Sequence, residues 1–331
     1  MRKGYFFLTL GCMILIFLSG CIHEYPVPSA KGKEKGENPT LVDAYITVNL
    51  NLDWSNLIHQ VEFLSRATTN QDHRIVMELR KDGVVVYRNS EYISDNEFSK
   101  GTWNHRIVNK LTAAKYEVAV WYDKPGDKEP SFLTDELGAV RLNNFSTANS
   151  EYVRGAHVSD ILDLSPYSGI GNESGVTKEL KMEHSGARFE IVATDINEFI
   201  SQQKEALIND DSFTVNISLD QGACDTYNVY EGRALNFNWP LLLSGHMRLP
   251  FAEYDELKIA EGFFFCEEET EARATLFITN SSGEKVTETG SFTFPIKRGQ
   301  ITTVCGDFLT KPVDGIFSIN HTWNGEIYFP I

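Results

Sequence analysis

No short motif that organises catalysis occurs in these 331 residues. His-Glu-x-x-His, Gly-x-Ser-x-Gly and phosphate-loop patterns are all missing. The histidines, His23, His59, His73, His105, His157, His184, His246 and His321, are scattered without the close spacings that metal ligation requires. With no nucleophile, base, metal or cofactor site to name, the chain reads as a non-enzyme. Basic residues are also in deficit: 30 Lys and Arg against 46 Asp and Glu give a net charge of −16. Such a surface repels nucleic acid and anionic headgroups, and its simplest role is solubility. Cysteine is scarce, with 5 in all. Pro and Gly are unremarkable, whereas aromatic residues reach 12%, the composition of a globular chain with core enough for two domains.

The single long apolar run, from about Tyr5 to Phe17, is too short for a membrane-spanning helix. Arg2 and Lys3 precede it and small residues follow, the pattern of a secretory leader over residues 1–20. Its end, Leu18-Ser19-Gly20-Cys21, resembles the lipobox of bacterial lipoproteins, which implies cleavage before Cys21 and acylation of its thiol. Several acyl chains hold a protein on a membrane where one does so only marginally. Residues 21–40 are then an acylated N-terminus and flexible tether, since Pro26, Pro28, Gly32 and Gly36 stand there without periodicity. Cys12 leaves with the leader. Cys224, Cys266 and Cys305 remain, enough for at most one internal disulfide, and they match no zinc spacing.

Beyond residue 41 the pattern is all-β. Residues 44–52 alternate apolar and polar, as a half-buried strand does. Residues 75–80 and 84–88 flank Lys81-Asp82-Gly83, a hairpin signal. Residues 116–122 alternate again, 98–111 and 139–142 supply further strands, and 41–165 fit one sandwich. A Gly- and Ser-rich stretch places the linker at 166–175, with a second sandwich over 176–331. In that half, 176–182 and 187–193 are expected to pair around His184-Ser185-Gly186. Strands follow at 213–219, 257–266, 272–279, 289–295 and 301–308, with a turn at Asn280-Ser281-Ser282-Gly283. Residues 196–207 read as one short helix, with Asp195 as N-cap and Glu198 completing a capping box.

Several segments together resemble the fimbrillin-associated anchor lipoproteins of Bacteroidales, a branch of the fimbrial-subunit superfamily. They are Ile22-His23-Glu24-Tyr25-Pro26 after Cys21, Ser65-Arg66-Ala67, His73-Arg74-Ile75-Val76, and Leu111 through Trp121-Tyr122-Asp123. Later come residues 187–195, Tyr227-Asn228-Val229 and 295–310. The resemblance implies two transthyretin-like β-sandwich domains in tandem, a place at the outer-membrane surface, and fimbrial shaft or accessory subunits as partners. Stalk subunits of the superfamily are trimmed after a basic residue, which makes Arg66 a candidate processing site, although surface arginine is the plainer reading. The segment Trp323 to Ile331, with Trp323, Ile327 and Phe329, is a candidate subunit-contact strand; its alternative is closure of its own domain.

A second reading takes the chain as a surface glycan-binding or nutrient-capture lipoprotein. Here Trp121 and Trp323 are platforms, and Asp123, Asp127, Asp135 and Glu136 form a rim. Against it, Trp54, Trp103, Trp121, Trp239 and Trp323 suit core or sheet-face positions better. Glu267-Glu268-Glu269 with Glu271 lacks calcium-loop offsets and reads as a solvated turn or strand edge.

Overall fold

A computed structural model of the chain describes residues 41–52, 73–124, 131–143, 153–167, 175–203, 212–235, 241–248, 257–310 and 317–321. The strands of the first half are β1 (Leu41–Asn49), β2 (His73–Lys81), β3 (Val84–Ile93), β4 (Thr102–Thr112) and β5 (Lys115–Asp123). Then come β6 (Phe132–Leu133), β7 (Val140–Leu142), β8 (Gly155–Asp163), β9 (Val176–Lys181) and β10 (Glu183–His184). The second half begins with β11 (Gly186–Ala193), β12 (Ser212–Gln221), β13 (Thr226–Asn228), β14 (Arg233–Leu235), β15 (Leu241–Arg248) and β16 (Leu257–Phe265). It ends with β17 (Glu269–Asn280), β18 (Lys285–Glu288), β19 (Phe292–Lys297), β20 (Ile301–Gly306) and β21 (Phe317–His321).

Strand pairing shows that the two halves repeat one plan. In the first half β1 lies antiparallel to β4 and parallel to β9. In the second, β11 lies antiparallel to β16 and parallel to β20. The facing sheets follow the same plan: β2 pairs with β3 and β5, and β5 with β8; β12 pairs with β15 and β17, and β17 with β19. Each half is thus a two-sheet sandwich whose first strand is inserted between two later ones. Each closes over its own core, one around Ile46, Met77, Val120 and Leu162, the other around Phe189, Ile217, Leu276 and Phe294.

The repeat corrects two expectations. Residues 176–181 belong to the first sandwich, where β9 flanks β1, so the stretch 166–175 precedes the last main strand of the first repeat. Residues 176–182 and 187–193 do not pair with each other: β9 bonds to β1, and β11 to β16 and β20. Strands adjacent in sequence here close different sheets.

The hairpin at 81–84 is as expected, with Asp82 at φ 54° and Gly83 at φ 77°, the left-handed pair of a two-residue turn. The turn at 280–283 is also present, closed by Gly283 N–H to the Asn280 carbonyl at 2.9 Å. The helix runs Ile196–Gln202, its residues Ile196 and Phe199 buried; positions 204–207 lie outside the described residues. Asp195 stands at its N-cap without a capping bond. Its Oδ2 instead accepts from Leu309 N–H (2.9 Å), Thr310 N–H (2.7 Å) and Thr310 Oγ1 (2.8 Å). The full capping box sits in the first half, where Ser94 and Glu97 exchange bonds across the one-turn helix Asp95–Phe98.

Residues Thr40–Ile331 form one compact unit. Its two sandwiches share a fifth, small sheet in which β6 and β7 of the first half join β13 and β14 of the second. Beneath it lies a third apolar core built from both halves, including Val76, Trp121, Phe132, Tyr227, Phe263 and Phe265.

Candidate functional site

Among the described residues there is no group of three or more His, Cys, Asp or Glu able to hold a metal ion. The feature that stands out is the slot occupied by β1. Strand alternation sends Val42, Ala44, Ile46 and Val48 into the core, where each is fully buried. The opposite face is half open. There Tyr45 lies under the Arg106 guanidinium at 5.1 Å, Asp43 pairs with Arg106 at 3.2 Å, and Thr47 Oγ1 donates to Asn104 at 2.8 Å. Such surface contacts add little stability. The strand is therefore held by two backbone ladders and one row of small and medium apolar side chains. Just past its end the Leu50 N–H reaches the Gly101 carbonyl at 2.8 Å, while Met182 N–H reaches back to the Asn49 carbonyl.

An inserted strand of this kind has an obvious chemistry of association. Backbone groups of β4 and β9 both need a partner between them, and the apolar row needs cover. Any extended segment with small apolar residues at alternate positions meets both needs. At the far end of the unit, β21 forms the outer edge of its sheet by pairing with β20.

Of the residues singled out from the sequence, Cys21, Arg66, Trp323, Ile327 and Phe329 lie outside the described residues, as do Trp54, Trp239 and Asp127. The glycan platform at Trp121 is overturned. Its ring is fully buried and edge-packed on Phe132 and Phe265, and its Nε1 donates to Asp123 Oδ2 at 2.9 Å. Asp123 is no rim residue either, being itself fully buried against Arg74 Nε at 2.9 Å. Burial alone would lower the Arg74 pKa, but the carboxylate outweighs it and raises it. Trp103 is core, and Glu267, Glu268, Glu269 and Glu271 are exposed as expected. Cys224 and Cys266 are buried, and burial pushes both thiols up to about 12, which makes them unreactive.

Sequence reasoning missed the side chains that join the halves. Tyr227 was read only as part of a resemblance, yet it is fully buried and hydrogen-bonds His157 of β8. Tyr230 donates to the buried Glu78 at 3.0 Å and lies under Arg80 at 3.7 Å. The readable signal was Phe263-Phe264-Phe265, a consecutive apolar run meaning cover on both faces of a strand.

Several solved structures are similar to this chain. A candidate adhesin from Bacteroides ovatus shares 10% identity at a TM-score of 0.44, covering 87% of this chain and 94% of that one. A fimbrial assembly protein from Parabacteroides distasonis shares 11% at 0.38, covering 88% and 99%. A candidate polysaccharide-binding protein from Bacteroides thetaiotaomicron shares 11% at 0.44, covering 88% and 98%. No curated protein matches the sequence. The sequence does match a family model across residues 39–330, nearly the whole all-β unit, and the chain belongs to that family, a family of unknown function (DUF6562).

Proposed function

We propose that the chain is a lipid-anchored surface subunit of a fimbria-like assembly, held at the outer membrane by acylated Cys21 and binding pilin-type subunits through strand pairing. In this reading residues 1–20 are the leader, 21–40 the tether, and the two sandwiches the body. The observation that carries it is the position of β1: it is the first strand after the tether, and it fills its slot with Val42, Ala44, Ile46 and Val48. An exchangeable strand beside the anchoring segment suits a protein whose task is to join a fibre to a membrane.

The slot also separates two roles that Arg66 left open. Arg66 falls between β1 and β2 in sequence. A cut there parts Cys21 and β1 from the body, leaving only non-covalent strand pairing to hold it. An anchor must keep that link. A stalk subunit must lose β1 to accept a neighbour. The anchor reading therefore requires an uncut Arg66, a β1 retained in its own slot, and contact with the next subunit through another element, for which Trp323, Ile327 and Phe329 are the candidates.

The test is made in the native cell. Membrane-fraction protein is expected to start at an acylated Cys21 with residues 21–66 still attached, to co-purify with fibre subunits, and to lose the membrane on Cys21→Ser. Fibres are expected to be shed into the medium when the gene is deleted. Fibres that stay attached in the deletion strain, or body protein beginning after Arg66, would overturn the anchor role.

A further inference from the structure

We propose that the interface between the two sandwiches is an acid-sensitive lock in which His157 of the first half and Tyr227 of the second form the contact that fails on protonation. The lock is built from backbone as well as side chains. β7 and β13 pair across it, with Tyr227 opposite Val140. Leu142 N–H donates to the Asp225 carbonyl at 2.9 Å and Val229 N–H to the Leu137 carbonyl at 2.9 Å. Ser159 Oγ adds a bond to the Tyr230 carbonyl at 3.2 Å. Around these contacts the apolar core of Trp121, Phe132, Phe263 and Phe265 excludes water.

His157 is 4% exposed. Its Nε2 meets the Tyr227 hydroxyl, the rings lie 4.7 Å apart, and its Nδ1 is buried without a hydrogen-bond partner among the described residues. Glu183 of β10 stands opposite His157 in the β8–β10 pairing and is exposed, while the charges that act on the buried ring are cationic. Arg298, whose guanidinium lies 5.6 Å from the Tyr227 ring, and His184 of β10 both oppose protonation of His157. Glu183 and Glu267, with Cys266, also bear on Tyr227. Trp121 of β5 and Gly232 of the β13–β14 turn bring no charge to the ring. Burial, then Arg298 and His184, push the imidazole down to about 3.

Opening the lock returns the ring to water and to its ordinary pKa of ~6.5. The closed state then binds fewer protons than the open one between those two values. Its advantage is complete above pH ~6.5 and drains away as the pH falls toward ~3. From pH 7 to pH 5 the closed-to-open ratio is expected to fall about 25-fold.

Amide hydrogen exchange reads this directly on the whole folded chain. Protection of Leu142 and Val229, corrected for intrinsic rates, is expected to drop about 25-fold between pH 7 and pH 5. Amides of Met77 and Ile217, inside the two sandwich cores, are expected to hold. His157→Gln keeps a polar group for Tyr227 and cannot charge, so its junction protection should be flat with pH; His184→Gln should keep the drop. The same drop in His157→Gln, or none in the native chain, overturns the lock. Should that variant fail to fold, the native His157 ring resonances decide the matter: no titration between pH 7 and pH 5 in the closed form supports the lock, and a midpoint near 6.5 sinks it.

Discussion

β1 and β11 occupy the same slot in the two repeats, antiparallel to one neighbour and parallel to the other. They are packed in different ways. β1 buries alternate residues and shows its other face to solvent, whereas in β11 all but Val192 are buried. The outer face of β11 carries Arg188 bonded to Glu261 at 3.0 Å and Glu190 within 3.5 Å of Lys258. Its exit is fixed by Asp195, which holds the chain at Leu309 and Thr310. Identical topology therefore yields one strand held on a single face and one held on both. On the proposed function, exchange would belong to the first and permanence to the second.

The largest expected effect tests the outer faces against each other. Arg188→Ala leaves the Glu261 carboxylate, 8% exposed, with Lys258 as its remaining cation. Stripping one partner from a buried pair costs about 3 kcal/mol. Thr47→Ala, on the corresponding face of β1, removes an exposed hydroxyl contact and is expected to stay within about 0.5 kcal/mol. Urea unfolding followed by tryptophan fluorescence measures both. Equal losses would mean that the two slots are alike after all.

Next comes the staple at the end of β11. Asp195→Ala removes three accepted hydrogen bonds at a residue 5% exposed. Leaving those backbone donors without a partner is expected to cost about 1–3 kcal/mol. Exchange at Leu309 and Thr310 should accelerate before that of β11 itself. If β11 and residues 309–310 loosen together, the staple and the strand are one element and the contrast with β1 is weaker.

What could be read in advance follows from where each signal lives. The strands, the Asp82-Gly83 hairpin and the turn at 280–283 depend on neighbouring residues, and alternation or a left-handed pair announces them. The parallel partners β9 and β20 stand more than a hundred residues from β1 and β11, and no local pattern names them. Asp195 carried a genuine helix-start signal, but tertiary donors captured its side chain. The junction was hidden because Trp121, Phe132, Tyr227 and Phe265 come from four separate segments. Tryptophan and aspartate near a loop suggested a sugar-binding rim, and the same two residues proved to be a buried hydrogen-bonded pair.

A smaller loss than at either buried site is expected in the one-turn helix that lies against the wall of the β1 slot. Ser94 Oγ accepts from Glu97 N–H while Glu97 reaches back to Ser94 N–H at 3.1 Å. This box holds Asp95 against His73 Nε2 at 2.7 Å and Phe98 stacked on the His73 ring at 3.9 Å. Burial lowers the His73 pKa against the opposing pull of Asp95, and the ring bridges the Asp95 carboxylate and the Tyr122 hydroxyl, the latter 2.7 Å from Nδ1. Ser94→Ala should cost about 1 kcal/mol, toward the low end because the cap is exposed. Exchange at Phe98 and Ser99 is expected to quicken and then spread to β4, the strand that lines one side of the slot, while Ile217 and Leu276 in the second sandwich hold. If those second-sandwich amides quicken in step, the two repeats open as a single cooperative body, and the freedom assigned to β1 cannot be local.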